Sequence, residues 1–296
     1  MELKKPLTFE EQLERLITHG VVVEDKDKAL RILSEVNYYR LSGYALEYRK
    51  SPHDSDFIED TTFERIYDLY VIDEEIRNVF RRYIEKIEVY CRTQIAYGFS
   101  IKRCLNPLHD QHYDSNNFYN KKGYQEVMEH FSKEKNYYND TMVMKHHKLT
   151  YNNKMPLWVM VELMSLADIS KLYSCMYTSE QKTIADNMET SPETLINHLH
   201  CLTVLRNKSA HAARIYNTQL NPPAKLTRKF LKKYPNIRNN SLFAYTLVVL
   251  KRLPNTETKQ EFIEDIGRII EQYKADINFD IIGFPEDYKV ILKNNI

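Results

Sequence analysis

The chain has 296 residues, 43% of them hydrophobic and 28% charged, which excludes a disordered polymer and suits one large domain or two small ones. Its formal net charge of +1 excludes a global electrostatic pull on nucleic acid, so any such role needs a local patch. No run of about 18 apolar residues occurs and the N-terminal MELKKPLTFEEQ has no apolar core, so neither a membrane span nor a signal peptide is expected.

Only 6 Gly and 10 Pro punctuate the chain, which favours helices joined by short connections. The 22 Tyr suit helix packing and also surfaces that stack on bases. Cys91, Cys104, Cys175 and Cys201 show no paired metal spacing; reduced thiols in a cytoplasm are the simple expectation.

Thr8-Phe9-Glu10-Glu11 matches a capping box, so a first helix starts there, with Gly20 as its stop. A second helix buries Ala29, Leu30, Ile32, Leu33 and Val36, and Asn37 to Tyr44 then reads as a turn. Ser51 to Asp60 is polar and acidic and marks a boundary. It sets off residues 1–58 as a small helical subdomain from a helical core over 59–296. Phe63, Ile66, Tyr67 and Tyr70 predict a short helix, and after Asp73 the stripe from Ile76 to Ile95 predicts a long one. Glu88 and Arg92 stand in i,i+4 register for an ion pair.

Helices are predicted near Tyr124–Lys133 and Thr141–Leu149, then from Pro156. That last one is apolar nearly all round through Met164 and should lie in the core. Two short helices follow over Ala167–Tyr177 and Ser179–Met188. The stretch from Ser191 to Asn217 reads as one long helix with Ser191 as N-cap and Pro192 in the first turn. Asn221-Pro222-Pro223 blocks further helix; Lys225, Arg228, Lys229, Lys232 and Lys233 then form a basic segment fit to hold RNA. Two final helices near Ser241–Leu253 and Lys259–Tyr273 complete an all-α chain.

The long helix carries the chemistry. Its inward row is Leu195, Leu199 and Leu202, and Arg206 falls within a few tens of degrees of that row at about 100° per residue. An arginine there needs a partner: a core carboxylate such as Glu85, Glu88 or Glu162, or an anionic ligand. His211 lies roughly 140° around and about 7.5 Å further along. Asn207, four residues before His211, is placed to orient its ring, and Arg214 extends the same polar edge. Guanidinium forks match phosphate oxygens, and imidazole moves protons near neutral pH. RNA supplies its own 2′-hydroxyl nucleophile, so such a site needs no metal in principle. It does need a base and an acid on opposite sides of phosphorus. One His211 per chain is short of that, and a dimer bringing two to one cleft supplies it. His198, His200 and Cys201 make a poor metal site, because the two histidines face opposite sides of a helix. No cofactor motif is present.

RNKSAH followed by AARIYN resembles the Arg-x4-6-His signature of the HEPN superfamily of helical ribonucleases. More narrowly the chain resembles the Abi family of abortive-infection proteins, the AbiD/AbiF group. Three further blocks, in order, support this: NYYRLSGY from Asn37, IEKIEVYCRTQIAY from Ile84 and PLWVMVELMSLADISKLY from Pro156. The resemblance implies an all-α, HEPN-like core and a metal-independent endoribonuclease with two Arg/His pairs across a homodimer. It also implies 2′,3′-cyclic phosphate and 5′-hydroxyl products, and a role in phage defence or as a toxin held by an antitoxin, RNA or protein. On this basis Arg206 and His211 are the expected catalytic residues and Asn207 their polar companion. Glu88 and Arg92 are expected to support the site. Ala167-Asp168 departs from the family, which often has a glycine-containing turn there. The competing reading is a non-catalytic HEPN-type module that binds RNA or a partner.

Overall fold

A computed structural model describes residues 3, 5–51 and 53–296; Pro52 of the acidic loop lies outside the described residues. They form fifteen α-helices, with no β pairing among them beyond two isolated bridges. The all-α expectation holds.

α1 (Phe9–Thr18) starts on the expected Thr8–Glu11 capping box and ends just before Gly20, whose φ of 98° is the left-handed conformation glycine permits. α2 (Lys26–Glu35) is capped by Asp25. The stretch expected to be a turn is instead a helix, α3 (Tyr38–Ala45). The Asn37 side chain accepts the Tyr39 N–H and so begins it.

α4 (Phe63–Arg103) is a single helix of 41 residues, about 60 Å long. Two helices with a break at Asp73 were expected. The helix runs straight through because Asp73, fully buried, finds its partners inside the fold. α5 (Lys121–Tyr137) and α6 (Met142–Thr150) follow, each with a side-chain N-cap.

After Pro156 the expected core helix is only one turn, α7 (Leu157–Met160), tightening into 3-10 geometry over Val161–Leu163. Ser165 and Asp168 form a capping box that starts a new helix, α8 (Leu166–Cys175), so the apolar run is split in two. Leu157, Met160, Val161 and Met164 are buried, but Trp158 is 42% exposed and stacks on Tyr97. α9 (Thr178–Asn187) leads to α10 (Pro192–Ala210), which begins at Ser191 as expected but stops at Ala210 rather than Asn217.

An irregular segment through Pro222 and Pro223 reaches Thr227, which caps α11 (Arg228–Lys233). α12 (Leu242–Arg252) and α13 (Thr256–Gln272) match the predicted pair. α14 (Phe279–Ile282) and α15 (Tyr288–Lys293) are too short to show a readable helical period.

α4 and α10 are the central pair. α10 packs on α4, α8, α9 and α12; α3, α9 and α13 close the other sides of α4. One continuous set of buried apolar residues runs from Leu13 in α1 to Leu292 in α15. All four cysteines are buried and unpaired. No described helix is long and apolar enough to cross a membrane.

Candidate active site

α10 stops where its sequence has no helix breaker. His211 is the C-cap, with φ −94° and ψ 16°. Ala212 takes a left-handed φ of 51°, and the Ala213 N–H returns 2.8 Å to the Lys208 carbonyl. This closed turn usually has glycine at the left-handed position.

Contacts from α3 and α4 impose the stop. Arg40 donates to the Ala212 carbonyl, and Arg214 donates to the Gly43 carbonyl while its guanidinium lies 5.8 Å from the Tyr44 ring centre. A Cβ on Gly43 would stand 3.1 Å from Arg214 Nη1, so a larger residue there would push the guanidinium back by a few tenths of an ångström. Deeper in, Asp73 Oδ1 accepts the backbone N–H groups of Ile215 and Tyr216 at 3.1 and 2.7 Å. Its Oδ2 accepts Tyr44 Oη at 2.6 Å and pairs with Arg77. Asp73, Arg77 and Tyr44 are all at most 3% exposed.

Burial pushes the Asp73 carboxyl up, while Arg77, Tyr44 and the two backbone donors pull it the other way. Burial and then the Asp73 charge push the Tyr44 phenol far up, so it stays protonated and donating. This network ties three parts of the chain together: the block around Gly43, the buried acid of α4, and the backbone just after His211. Sequence reasoning read Asp73 as a helix break and gave it no partner. The one available signal was an acid and an arginine spaced i,i+4 in a helix otherwise apolar on that side.

His211 is exposed, and its backbone N–H donates to the Asn207 carbonyl at 3.0 Å. Arg206 is half-buried in the row between buried Leu202 and Ser209. Its Nη1 meets Asn207 Oδ1 at 3.4 Å. None of the carboxylates expected for it takes it. Glu88 pairs with Arg92 at 2.7 Å, Glu162 meets the same arginine at 3.5 Å, and Glu85 is exposed. Among the described residues Arg206 has no carboxylate partner. The Asn207 amide, expected to orient the His211 ring, turns to Arg206 instead.

Arg214 likewise leaves the polar edge of α10, because the helix has already ended, and braces α3. The Glu88–Arg92 pair forms as expected. Arg92 also donates to the Met164 carbonyl at 2.8 Å, so it anchors the α7–α8 connection about 28 Å along α4 from Asp73, away from His211. Lys225, Arg228, Lys229, Lys232 and Lys233 are all exposed. They flank the first half of α10, where His198 Nε2 donates to the Lys225 carbonyl at 3.1 Å, about 20 Å along the axis from His211. The structure therefore brings Arg206, Asn207 and His211 together, and separates them from both the Glu88–Arg92 pair and the basic segment.

The carbonyl end of a helix repels anions. Here that end is surrounded by the cationic side chains of Arg40, Arg206, Lys208 and Arg214, which offset it. The arrangement offers an exposed imidazole, a guanidinium with no carboxylate partner among the described residues, and a backbone fixed from behind by a buried acid.

No curated protein and no solved structure matches the chain. The family model for Abi-like proteins matches residues 31–217, more than half of its length. That span begins within α2 and ends just past Ile215 and Tyr216, so it holds α3, the Asp73–Arg77 pair and the whole end of α10. Every piece that builds this site thus falls inside the match, and the chain belongs to the Abi-like protein family.

Proposed function

We propose that this protein is a metal-independent endoribonuclease of the HEPN type, in the AbiD/AbiF group, acting in abortive infection or as a toxin. Membership of the Abi-like family supports the defence role. One observation supports the chemistry most: Arg206, half-buried and with no carboxylate partner among the described residues, stands one turn before the exposed His211. A guanidinium so placed suits the non-bridging oxygens of a phosphodiester, where negative charge accumulates in the transition state.

The reaction uses the substrate's own 2′-hydroxyl. One His211 takes the 2′-hydroxyl proton as the oxygen attacks phosphorus. The bond to the 5′-oxygen breaks, and a protonated imidazole on the far side gives that oxygen its proton. The products are a 2′,3′-cyclic phosphate and a 5′-hydroxyl. One chain carries one His211, so the second imidazole comes from a second copy, and the working unit is a homodimer. An antitoxin, RNA or protein, that covered the end of α10 would hold such an activity in check.

The test is RNA cleavage by purified protein in the presence of a chelator. The expected result is cyclic-phosphate ends from the native chain, with at least about a hundredfold loss in His211→Ala and in Arg206→Ala, the size of a general acid–base contribution. Cleavage undiminished in His211→Ala sinks the assignment.

A second reading is a binding module without activity. It is favoured by the exposed cations of Lys225 and α11, about 20 Å from His211. It predicts RNA binding that weakens steeply with salt, is unchanged in Arg206→Ala and gives no product.

A further inference from the structure

A second cluster of basic groups lies at the other half of α10. A cavity of about 190 Å³ opens between α10, the end of α12 and the segment leading into α11. Its lining includes His198, Lys225, Lys251 and Arg252, with the hydroxyl-bearing Thr194 and Thr227. The volume holds about six waters at the ~30 Å³ each takes in the liquid. That is ample for the five heavy atoms of a phosphate.

Arg252 is only 4% exposed. Its Nη1 donates to the Met188 carbonyl at 3.0 Å, its Nε has no hydrogen-bond partner, and no carboxylate pairs with it among the described residues. A buried guanidinium without a counter-ion is costly. The nearby Cys91 thiol does not balance it, because burial pushes that thiol up to about 12 and keeps it neutral.

His198 is 3% exposed. Its Nε2 donates to the Lys225 carbonyl, which leaves Nδ1 as a lone-pair acceptor, and that atom is buried with no partner. Burial and then the charge on Arg252 push His198 down to about 3, and burial followed by Lys259 and Arg252 pushes Lys251 down. These shifts agree with the geometry: positive charge is gathered here, opposed by Glu189 only from beyond ion-pair distance. The one carboxylate in the lining, Glu189, is exposed and pairs with none of these cations within ion-pair distance.

We propose that this cavity is a binding site for a phosphate group, either free phosphate or a terminal phosphomonoester, held by Arg252, Lys251 and Lys225, with His198 in its wall. The two orphaned nitrogens need opposite partners: Arg252 Nε an acceptor and His198 Nδ1 a donor. Both are closed to a water-sized atom, so a phosphate in the cavity meets the rest of the Arg252 guanidinium and the two lysines. The site does not depend on the ribonuclease reading, since it shares no residue with the end of α10.

The experiment is thermal unfolding and calorimetric titration of the full chain with inorganic phosphate, against sodium chloride at equal ionic strength. The expected result is a saturable rise in Tm with phosphate and a binding constant weakened at least tenfold in Lys251→Gln and in Lys225→Gln. Both lysines are exposed, so these variants test the site even where Arg252→Gln fails to fold. A short oligoribonucleotide with a 5′-phosphate, compared with its 5′-hydroxyl form, separates the two sources. Tighter binding of the phosphorylated form than of free phosphate identifies a phosphomonoester end as the ligand; otherwise free phosphate is. No stabilisation by either phosphate-bearing probe beyond chloride, or binding untouched by both lysine variants, overturns the proposal.

Discussion

Asp73 sits in the first third of a 41-residue helix, fully buried, with its carboxylate shared between Arg77, Tyr44 and two backbone N–H groups. Two of those donors belong to Ile215 and Tyr216, a few residues after His211. The acid therefore does two things at once: it neutralises a buried arginine and fixes the backbone that carries the imidazole. Asp73→Asn keeps the shape but leaves the Arg77 charge buried without an opposite charge. The expected loss is about 3–5 kcal/mol of unfolding free energy in urea, the usual cost of removing one partner from a buried pair. Adding Arg77→Met to it should cost clearly less than the sum of the two single changes, because the stranded charge is then gone. A loss under about 1 kcal/mol in Asp73→Asn means that the network is not carrying charge as described. Arg206 makes the opposite case at the same scale. Its odd position between Leu202 and Ser209 could be read from helical spacing, whereas its lack of a carboxylate partner could not, since spacing along one helix says nothing of what other helices bring to it.

The start of α10 was legible and its end was not, for a physical reason. Ser191 and Pro192 act within one turn, so the signal lies in adjacent residues. The stop at Ala210 has no Gly, Asn or Pro behind it. It is imposed by Arg40 and Gly43, far away in sequence, and by Asp73. The same holds for α4, where the carboxylate that reads as a break is satisfied by groups from elsewhere. Ala212 shows the cost of a stop set from outside, as it holds a left-handed φ of 51° that a Cβ resists. Ala212→Gly relieves that strain, worth about 1–2 kcal/mol, but gives the unfolded chain more freedom, worth about 0.4–1 kcal/mol. The net expectation is a variant more stable by about 0.5–1 kcal/mol in chemical denaturation, with His211 still in place. A destabilised Ala212→Gly means that the turn after α10 is not the strained element described here.

At the scale of the whole molecule, the proposed chemistry fixes which surface can meet a second copy. His211 lies at the end of α4 marked by Asp73. The largest exposed apolar side chains on α4, Tyr97 and Ile101, lie at the other end with Trp158 stacked beside them. From Asp73 to Tyr97 is about 36 Å along the helix axis. Two copies joined through the Trp158 surface would hold their His211 residues far apart, so that surface cannot form a shared cleft. A two-histidine site requires an isologous contact around the end of α10, where the same patch faces itself. The consequence is measurable in mixtures of wild-type and His211→Ala chains allowed to exchange subunits. If each cleft needs both imidazoles, only wild-type pairs are active. Cleavage then falls with the square of the wild-type fraction, to about a quarter in an equal mixture. A fall in direct proportion, to about a half, places a complete site in each chain and removes the need for the second copy. Because every chain in the mixture keeps Arg206 and the Asp73 clamp, the shape of that curve reports on the shared histidine alone.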